Sequence, residues 1–153
     1  MPAATAVPVD ETPSGSASAD YADAFEVRLS ELDDRTAEEW IRAGLEGAPA
    51  PLRWTIVSVH RYVLRFRLGP LSAPDRILGW RVAESTPEVV RLEAGSPLLR
   101  AVLVGRRTDD RATRLTTLLF FTRPTVMRAV WTLVGPLHRR IAPYLLARAA
   151  RAR

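Results

Sequence analysis

The sequence predicts an α+β fold in which an antiparallel sheet wraps around a long C-terminal helix. Residues 76 to 123 are a series of short segments with alternating polarity, separated by turn signals. The last thirty residues instead carry apolar side chains at helical spacing. A chain of 153 residues is long enough for one core, and 47% hydrophobic with 25% charged residues is the balance of a globular domain.

The N-terminal segment, residues 1 to 22, is rich in Ala, Pro, Ser and Thr and has no hydrophobic periodicity. Such a composition buries too little apolar surface to offset the entropy of ordering, so we expect a disordered tail. The folded domain then spans residues 23 to 153. Its first strand is predicted from Ala24 to Leu29, where Phe25, Val27 and Leu29 alternate with charged residues.

A first helix is predicted from the capping box formed by Thr36 and Glu39, whose side chains each satisfy a backbone donor at the helix start. The helix runs to about Glu46, and Gly47 suits a left-handed C-terminal position.

Residues 52 to 68 are open to two interpretations. Leu52, Ile56 and Val59 follow a 3.6-residue spacing, which favours a second helix. The same stretch is rich in β-branched residues, Thr55 and Val57 among them, so a strand is the alternative.

From residue 76 onward, connections of a few residues predict a four-stranded meander, because links this short join antiparallel neighbours. Leu78, Trp80 and Val82 are predicted to share one face of its first strand. The four segments are Arg76 to Ser85, Val89 to Ala94, Leu98 to Arg107 and Thr113 to Arg123.

The final helix is predicted from Pro124 to Arg153, and Pro136 and Pro143 lie inside it. Because a proline removes a backbone donor and crowds the preceding turn, a bend is expected near Gly135. The stripe expected to be buried consists of Val126, Val130, Leu133, Leu137, Ile141 and Leu145.

The charge is divided unevenly along the chain. Residues 1 to 75 hold 7 Arg and 12 Asp or Glu, whereas residues 76 to 153 hold 15 Arg and 5 Asp or Glu. This asymmetry predicts attraction within the molecule or a basic face for an anionic partner. The chain has no cysteine, no secretory signal pattern and no apolar run of spanning length, so we expect a cytoplasmic protein without disulfides.

Two tracts give the sequence a family resemblance: Leu78-Gly79-Trp80-Arg81-Val82, and the ten residues from Trp131 to Arg140. Together with the order strand, two helices, meander and long helix, they resemble the helix-grip proteins of the START and polyketide-cyclase (SRPBCC) superfamily over about residues 23 to 150. The resemblance implies a curved sheet gripping the helix around an apolar cavity that holds a lipid-like or polyketide-like molecule. The five strands counted here are fewer than the six or seven of larger members.

Candidate ligand-binding residues follow from this arrangement. Four aromatic side chains offer a large apolar surface with one polar handle each, although such residues are more often simply core; they are Trp54, Trp80, Trp131 and Tyr144. His138 is a candidate polar anchor or general base, and its alternative is a surface histidine beside Arg139. No nucleophile, nucleotide or metal-ligand motif occurs, so we expect no catalytic residue, metal or cofactor.

Three functional hypotheses remain. The first is a binding module for a small hydrophobic molecule, with a cavity of roughly 300 Å³ or more. The second is a cyclase-type enzyme, which requires His138 or Glu84 to project into the cavity. The third is a basic surface-interaction protein whose arginine-rich C-terminal helix meets the phosphates of lipid or nucleic acid. No nucleic acid is expected, because no aromatic residues alternate with the arginines, and the alternative is a solvated helix end.

Overall fold

A computed structural model describes residues 3–11 and 18–152. These residues form one eight-stranded antiparallel sheet in the order β1-β2-β8-β7-β6-β5-β4-β3. The strands are β1 (Thr5–Ala6), β2 (Tyr21–Arg28), β3 (Ser72–Ala73), β4 (Arg76–Ile77), β5 (Trp80–Ser85), β6 (Val89–Gly95), β7 (Leu99–Asp109) and β8 (Ala112–Phe121). The helices are α1 (Ala37–Glu46), α2 (Ala50–Ser58) and α3 (Pro124–Arg151). The predicted α+β class is confirmed.

The predicted meander is confirmed as β5 to β8, with one correction in its first segment. Leu78 and Gly79 have φ angles of 47° and 86° and connect the paired residues Ile77 and Trp80. Two successive left-handed residues make the tight turn that suits a right-twisted hairpin. Leu78 therefore belongs to a turn between β4 and β5 and does not share a strand face with Trp80.

Helix α1 begins as predicted. Thr36 accepts a hydrogen bond from the Glu39 amide at 3.1 Å, and the Glu39 carboxylate reaches back to the Thr36 amide. Gly47 caps the other end, but with φ −84° and ψ 2°, so its conformation is not the left-handed one expected. The helix packs on the sheet where Ile41 lies against Gly105.

The helical interpretation of residues 52 to 68 is confirmed for its first part. Helix α2 continues through a π-helical turn, Val59–Val63, and the chain then leaves the helix. Ile56 and Val57 are buried, so the β-branched side chains that suggested a strand serve to pack a helix instead.

Helix α3 buries only part of the predicted stripe. Leu145 is buried and Val130 and Ile141 are half-buried, but Leu133 is 81% exposed, and Val126 and Leu137 are also exposed. The buried face is made mostly of small side chains, because the helix approaches α1 closely enough that a Cβ on Gly44 would lie 3.1 Å from the Leu145 carbonyl oxygen. Its residues are Met127, Gly135, Ala142, Leu145, Leu146, Ala149 and Ala150. The helix runs without interruption through both prolines, and the bend near Gly135 stays a prediction.

The sheet has an inner face, toward the helices, and an outer face. The inner face carries Leu103, Leu115 and Leu119, which join the main core with residues of α1 and α3. The outer face carries a smaller cluster of Val102, Val104 and Leu118. Two apolar faces on the same central strands mean that both need a covering layer.

The N-terminal segment, predicted to be a disordered tail, lies against this sheet wherever the structure describes it. Thr5 and Ala6 pair with β2, and Ala19 packs on the outer cluster. β2 starts at Tyr21, three residues before the predicted strand. Residues 12–17 of the predicted tail lie outside the described residues.

No helix in the described ranges is both long enough and apolar enough to cross a membrane.

Candidate cavity between the sheet and the C-terminal helix

A cavity of about 100 Å³ lies between the inner face of the sheet, the α2 and π-helical segment, and α3. Strands β7 and β8 form its floor, and the two helical elements form opposite walls. Its lining is mostly apolar and comprises Leu45, Thr55, Ile56, Val59, His60, Leu64, Phe66, Trp80, Ala101, Leu103, Leu115, Thr117, Leu119, Trp131, Val134, Leu137, His138, Ile141, Ala142 and Leu145.

The cavity is smaller than the 300 Å³ expected from the sequence. Large side chains occupy the space near β5, where the rings of His60, Phe66 and Trp80 pack edge to face with centroids 5.2 to 5.7 Å apart. Edge-to-face packing is a favourable arrangement for aromatic rings, so this group forms a stable end wall. The remaining space lies between that wall and Trp131.

His60 supplies the first polar group of the cavity. The indole Nε1–H of Trp80 donates to its Nδ1 at 3.2 Å, which places the proton of the neutral ring on Nε2. Although His60 as a residue is only half-buried, its ring is enclosed by Phe66 and Trp80. Burial, with a smaller contribution from the charge of His138, lowers the pKa of His60 to about 4. The ring is therefore neutral at neutral pH.

His138 supplies the second polar group, from the opposite wall. Its Nε2 lies 3.0 Å from Oδ2 of Asp23 on β2. The same carboxylate oxygen accepts a hydrogen bond from the Tyr21 hydroxyl at 2.5 Å. Burial and this bond to Asp23 raise the pKa of Tyr21 to about 12, against the opposing effect of Arg139. Tyr21 is thus a hydrogen-bond donor over the whole neutral range, and Asp23 orients the His138 ring.

Trp131 packs against the rings of Tyr21 and His138. Its ring centroid lies 4.9 Å from that of Tyr21 and 5.4 Å from that of His138. Its Nε1–H is buried and has no hydrogen-bond partner among the described residues, and the same holds for the Thr117 hydroxyl on the floor. Because a buried donor without a partner costs free energy, both groups favour a bound acceptor.

The predicted site residues divide into two sets. Trp80, Trp131 and His138 line the cavity, as the sequence interpretation placed them. Trp54 and Tyr144 are not among its lining residues; Trp54 lies 73% exposed on α2, and Tyr144 is exposed on α3. Both side chains point outward because α2 packs on the core through Ile56 and α3 packs on it through Leu145.

Glu84 does not project into the cavity, because it is exposed on β5 and pairs with Arg91 at 3.0 Å. The sequence analysis missed His60, Asp23 and Tyr21. No carboxylate neighbours either histidine in the sequence. Asp23 is 115 residues from His138 and reaches it through the packing of α3 on β2. No local spacing could have indicated this pair.

In the described part of the chain, no three His, Asp or Glu side chains lie together as metal ligands.

No protein-family model, curated protein sequence or solved structure matches this chain. What defines its class is topology: an antiparallel sheet with a 28-residue C-terminal helix packed on it, an arrangement consistent with the helix-grip fold.

Proposed function

We propose that the protein is a binding module of the SRPBCC type that holds a small hydrophobic molecule between the sheet and α3. The observation that carries this proposal is the apolar cavity lined by both Trp80 and Trp131. A lining of apolar and aromatic side chains with a few polar groups is typical of small-molecule sites.

The polar groups of the cavity indicate what kind of molecule fits. Trp131 Nε1–H and the Thr117 hydroxyl are buried without partners in the described structure, and each can donate to a ligand. An apolar molecule bearing one carbonyl, ether or phenolic oxygen matches this pattern. A permanently charged ligand does not, since its desolvation would have no charged partner within the apolar lining.

The size of the cavity limits the part of the ligand that is enclosed. A dry cavity of roughly 150 Å³ holds a benzene ring, so about 100 Å³ accepts a few carbon atoms or part of one ring. A larger molecule requires movement of Leu137, which lines the cavity and is 40% exposed at its mouth. We therefore expect one end of the ligand to be enclosed and the remainder to lie between α2 and α3.

Native mass spectrometry of protein purified from its own host tests the proposal. A co-purified small molecule is expected with the wild-type chain and is expected to be lost in Val134→Phe, which places a larger side chain in the cavity. Val126→Phe makes the same change on the exposed first turn of α3 and is expected to retain the molecule. Equal retention by both variants would place the ligand elsewhere and contradict the proposal.

A second function is favoured by the contact between His138 and Asp23. With Asp23 accepting from Nε2–H, neutral His138 has its unprotonated nitrogen at Nδ1, the arrangement of an oriented general base. Because His138 lines an apolar cavity, the reaction it suits is removal of a proton from carbon or a phenol in a small hydrophobic substrate.

This proton-transfer function is tested by deuterium exchange of the methyl protons of acetophenone in D₂O, followed by NMR. We expect the wild-type protein to accelerate exchange, and His138→Gln and Asp23→Asn to slow it by about 100-fold or more, the usual contribution of a general base. Glu84→Gln is the control, because Glu84 is exposed on β5 and lies outside the cavity. Acceleration no greater than that of free imidazole would reject the enzymatic function and leave the binding proposal standing.

A further inference from the structure

The two helical elements on either side of the cavity mouth carry only positive charge. Residues 50 to 63 contain two arginines and no acidic residue, and residues 124 to 151 contain five arginines and no acidic residue. None of these seven arginines forms an ion pair with a carboxylate in the described ranges, whereas Arg106 and Arg114 of the sheet each do. The helical elements that line the cavity therefore carry an excess of positive charge.

The same elements expose large apolar and aromatic side chains. Trp54 on α2 is 73% exposed and Tyr62 in the π-helical turn is 71% exposed. On α3, Leu133 is 81% exposed. Exposure of large apolar side chains on both helical elements is unfavourable in water unless a partner covers them.

Five of the exposed residues of α3 form one stripe. At 3.6 residues per turn, Leu133, Leu137, Arg140, Tyr144 and Arg151 fall within about 60° of arc. Leu137 belongs both to this stripe and to the lining of the cavity. The stripe therefore borders the cavity, with Arg140 between its apolar members and Arg151 beyond the last of them.

A stripe that mixes arginine with leucine, tryptophan and tyrosine is the composition of an element lying in a bilayer interface. Arginines there meet anionic headgroups, aromatic rings occupy the headgroup level, and leucine enters the acyl boundary. A nucleic acid would account for the arginines but not for exposed Leu133. An acidic protein would account for both, but not for an apolar cavity opening on the same rim.

We propose that this rim, formed by α2, the π-helical turn and the exposed stripe of α3, docks on an anionic lipid surface with the cavity mouth facing the bilayer. The docking goes beyond the proposed function, since it needs only the rim and not an occupied cavity. It gives a hydrophobic molecule a path between the bilayer and the cavity that avoids water.

Sedimentation with unilamellar vesicles tests the docking. Full-length protein is expected to bind vesicles of phosphatidylcholine containing about one-third phosphatidylserine, and to bind pure phosphatidylcholine much more weakly. Binding is expected to weaken as NaCl rises from about 0.05 to 0.5 M, because screening shortens the reach of the arginines. Brominated lipid should also quench the fluorescence of exposed Trp54.

Two matched pairs of variants locate the docking surface. Arg140→Ala is expected to weaken binding about fivefold, whereas Arg111→Ala, in the turn between β7 and β8, should not. Leu133→Ser is expected to weaken binding about tenfold, whereas Leu71→Ser, at another exposed leucine, should not. All four positions are exposed, so circular dichroism should confirm that each variant folds.

Several outcomes would overturn the docking proposal. Equal binding to both kinds of vesicle would contradict the electrostatic part of the proposal. Equal losses of vesicle binding in both members of a variant pair would contradict the location of the docking surface. Binding to polyglutamate or to duplex DNA as strong as to anionic vesicles, without quenching of Trp54, would assign the rim to a protein or nucleic acid instead. Vesicle binding with no co-purified ligand would keep the docking and reject only the cavity function.

Discussion

The two histidines of the cavity, His60 and His138, differ in what surrounds each ring. His60 accepts from Trp80 and packs between aromatic rings, so its charged form lacks both water and a carboxylate. His138 has the carboxylate of Asp23 at 3.0 Å. At the scale of single residues, the protein thus packs one imidazole among aromatic rings and places the other against a carboxylate.

His60 gives a pH dependence of stability. The pKa of His60 is about 4 in the folded protein, below its ordinary 6.5, so between these values the unfolded chain binds a proton that the folded chain does not. The free energy of unfolding should therefore fall as pH decreases from about 6.5 to about 4 and be insensitive to this group above that window. His60→Gln retains a side-chain acceptor for Trp80 and removes the titration.

Urea unfolding at a series of pH values measures the effect of His60. The slope of unfolding free energy against pH between 4 and 6.5 is expected to be shallower in His60→Gln than in the wild type. His138→Gln, which replaces the other histidine of the cavity, is measured in the same way for comparison. An unchanged slope in His60→Gln would show that the His60 ring is not buried in its neutral form.

At the scale of elements, the position of α1 depends on a missing side chain in the sheet. A Cβ placed on Gly105 of β7 would overlap Cγ1 of Ile41 and would lie 3.0 Å from Val90. The glycine is therefore required by the close approach of the helix. Because α1 in turn packs against α3 through Gly44, this contact sets the distance between the sheet and the helices.

Gly105→Ala should reduce the free energy of unfolding by about 1 to 3 kcal/mol, the usual cost of overpacking a filled core. Gly95→Ala is the matched control, because a Cβ there meets no atom within 4 Å and its backbone φ is not positive. Chemical denaturation of the two variants provides the comparison. Equal stabilities would mean that α1 does not pack on β7 as described.

At the scale of the whole molecule, charge ties the N-terminal segment to the sheet. Glu26, Arg114 and Arg106 lie side by side on β2, β8 and β7 of the outer face. Glu11 accepts two hydrogen bonds from Arg106, at 2.6 and 2.9 Å, and Asp10 pairs with Arg114. The acidic first half and basic second half of the chain thus meet within the molecule, one of the two outcomes expected from the sequence.

Glu11→Gln is expected to reduce the free energy of unfolding by about 1 kcal/mol, since it removes the charge from a bidentate bond whose acceptor is nearly buried. Asp10→Asn should have a smaller effect, because Asp10 is exposed and its pairing with Arg114 is shared with Glu26. Thermal unfolding at low and high salt measures both. A larger loss of stability in Asp10→Asn than in Glu11→Gln would contradict the described packing of the N-terminal segment on the sheet.

The sequence predicted those features that depend on neighbours along the chain. The capping box at Thr36 needs only residues three positions apart, and the meander needs only alternation and short turns. The burial of Trp80 and Trp131 at the cavity also followed from one face of a strand and one face of a helix. The turn at Leu78 was missed because a leucine rarely adopts a positive φ.

The sequence by itself determined the α+β class, the order of the main elements and the basic character of the helices at the cavity mouth. Only the tertiary structure decided the phase of α3, the volume of the cavity and the meeting of Asp23 with His138. The reason is physical. Helical spacing alone does not decide whether the face with Leu133 or the face with Ala142 is buried, because that depends on how closely α1 approaches. Hydrophobicity favours burial of the larger side chains, and Met127, Leu145 and Leu146 are buried, but close packing of α3 on Gly44 of α1 leaves Leu133 exposed.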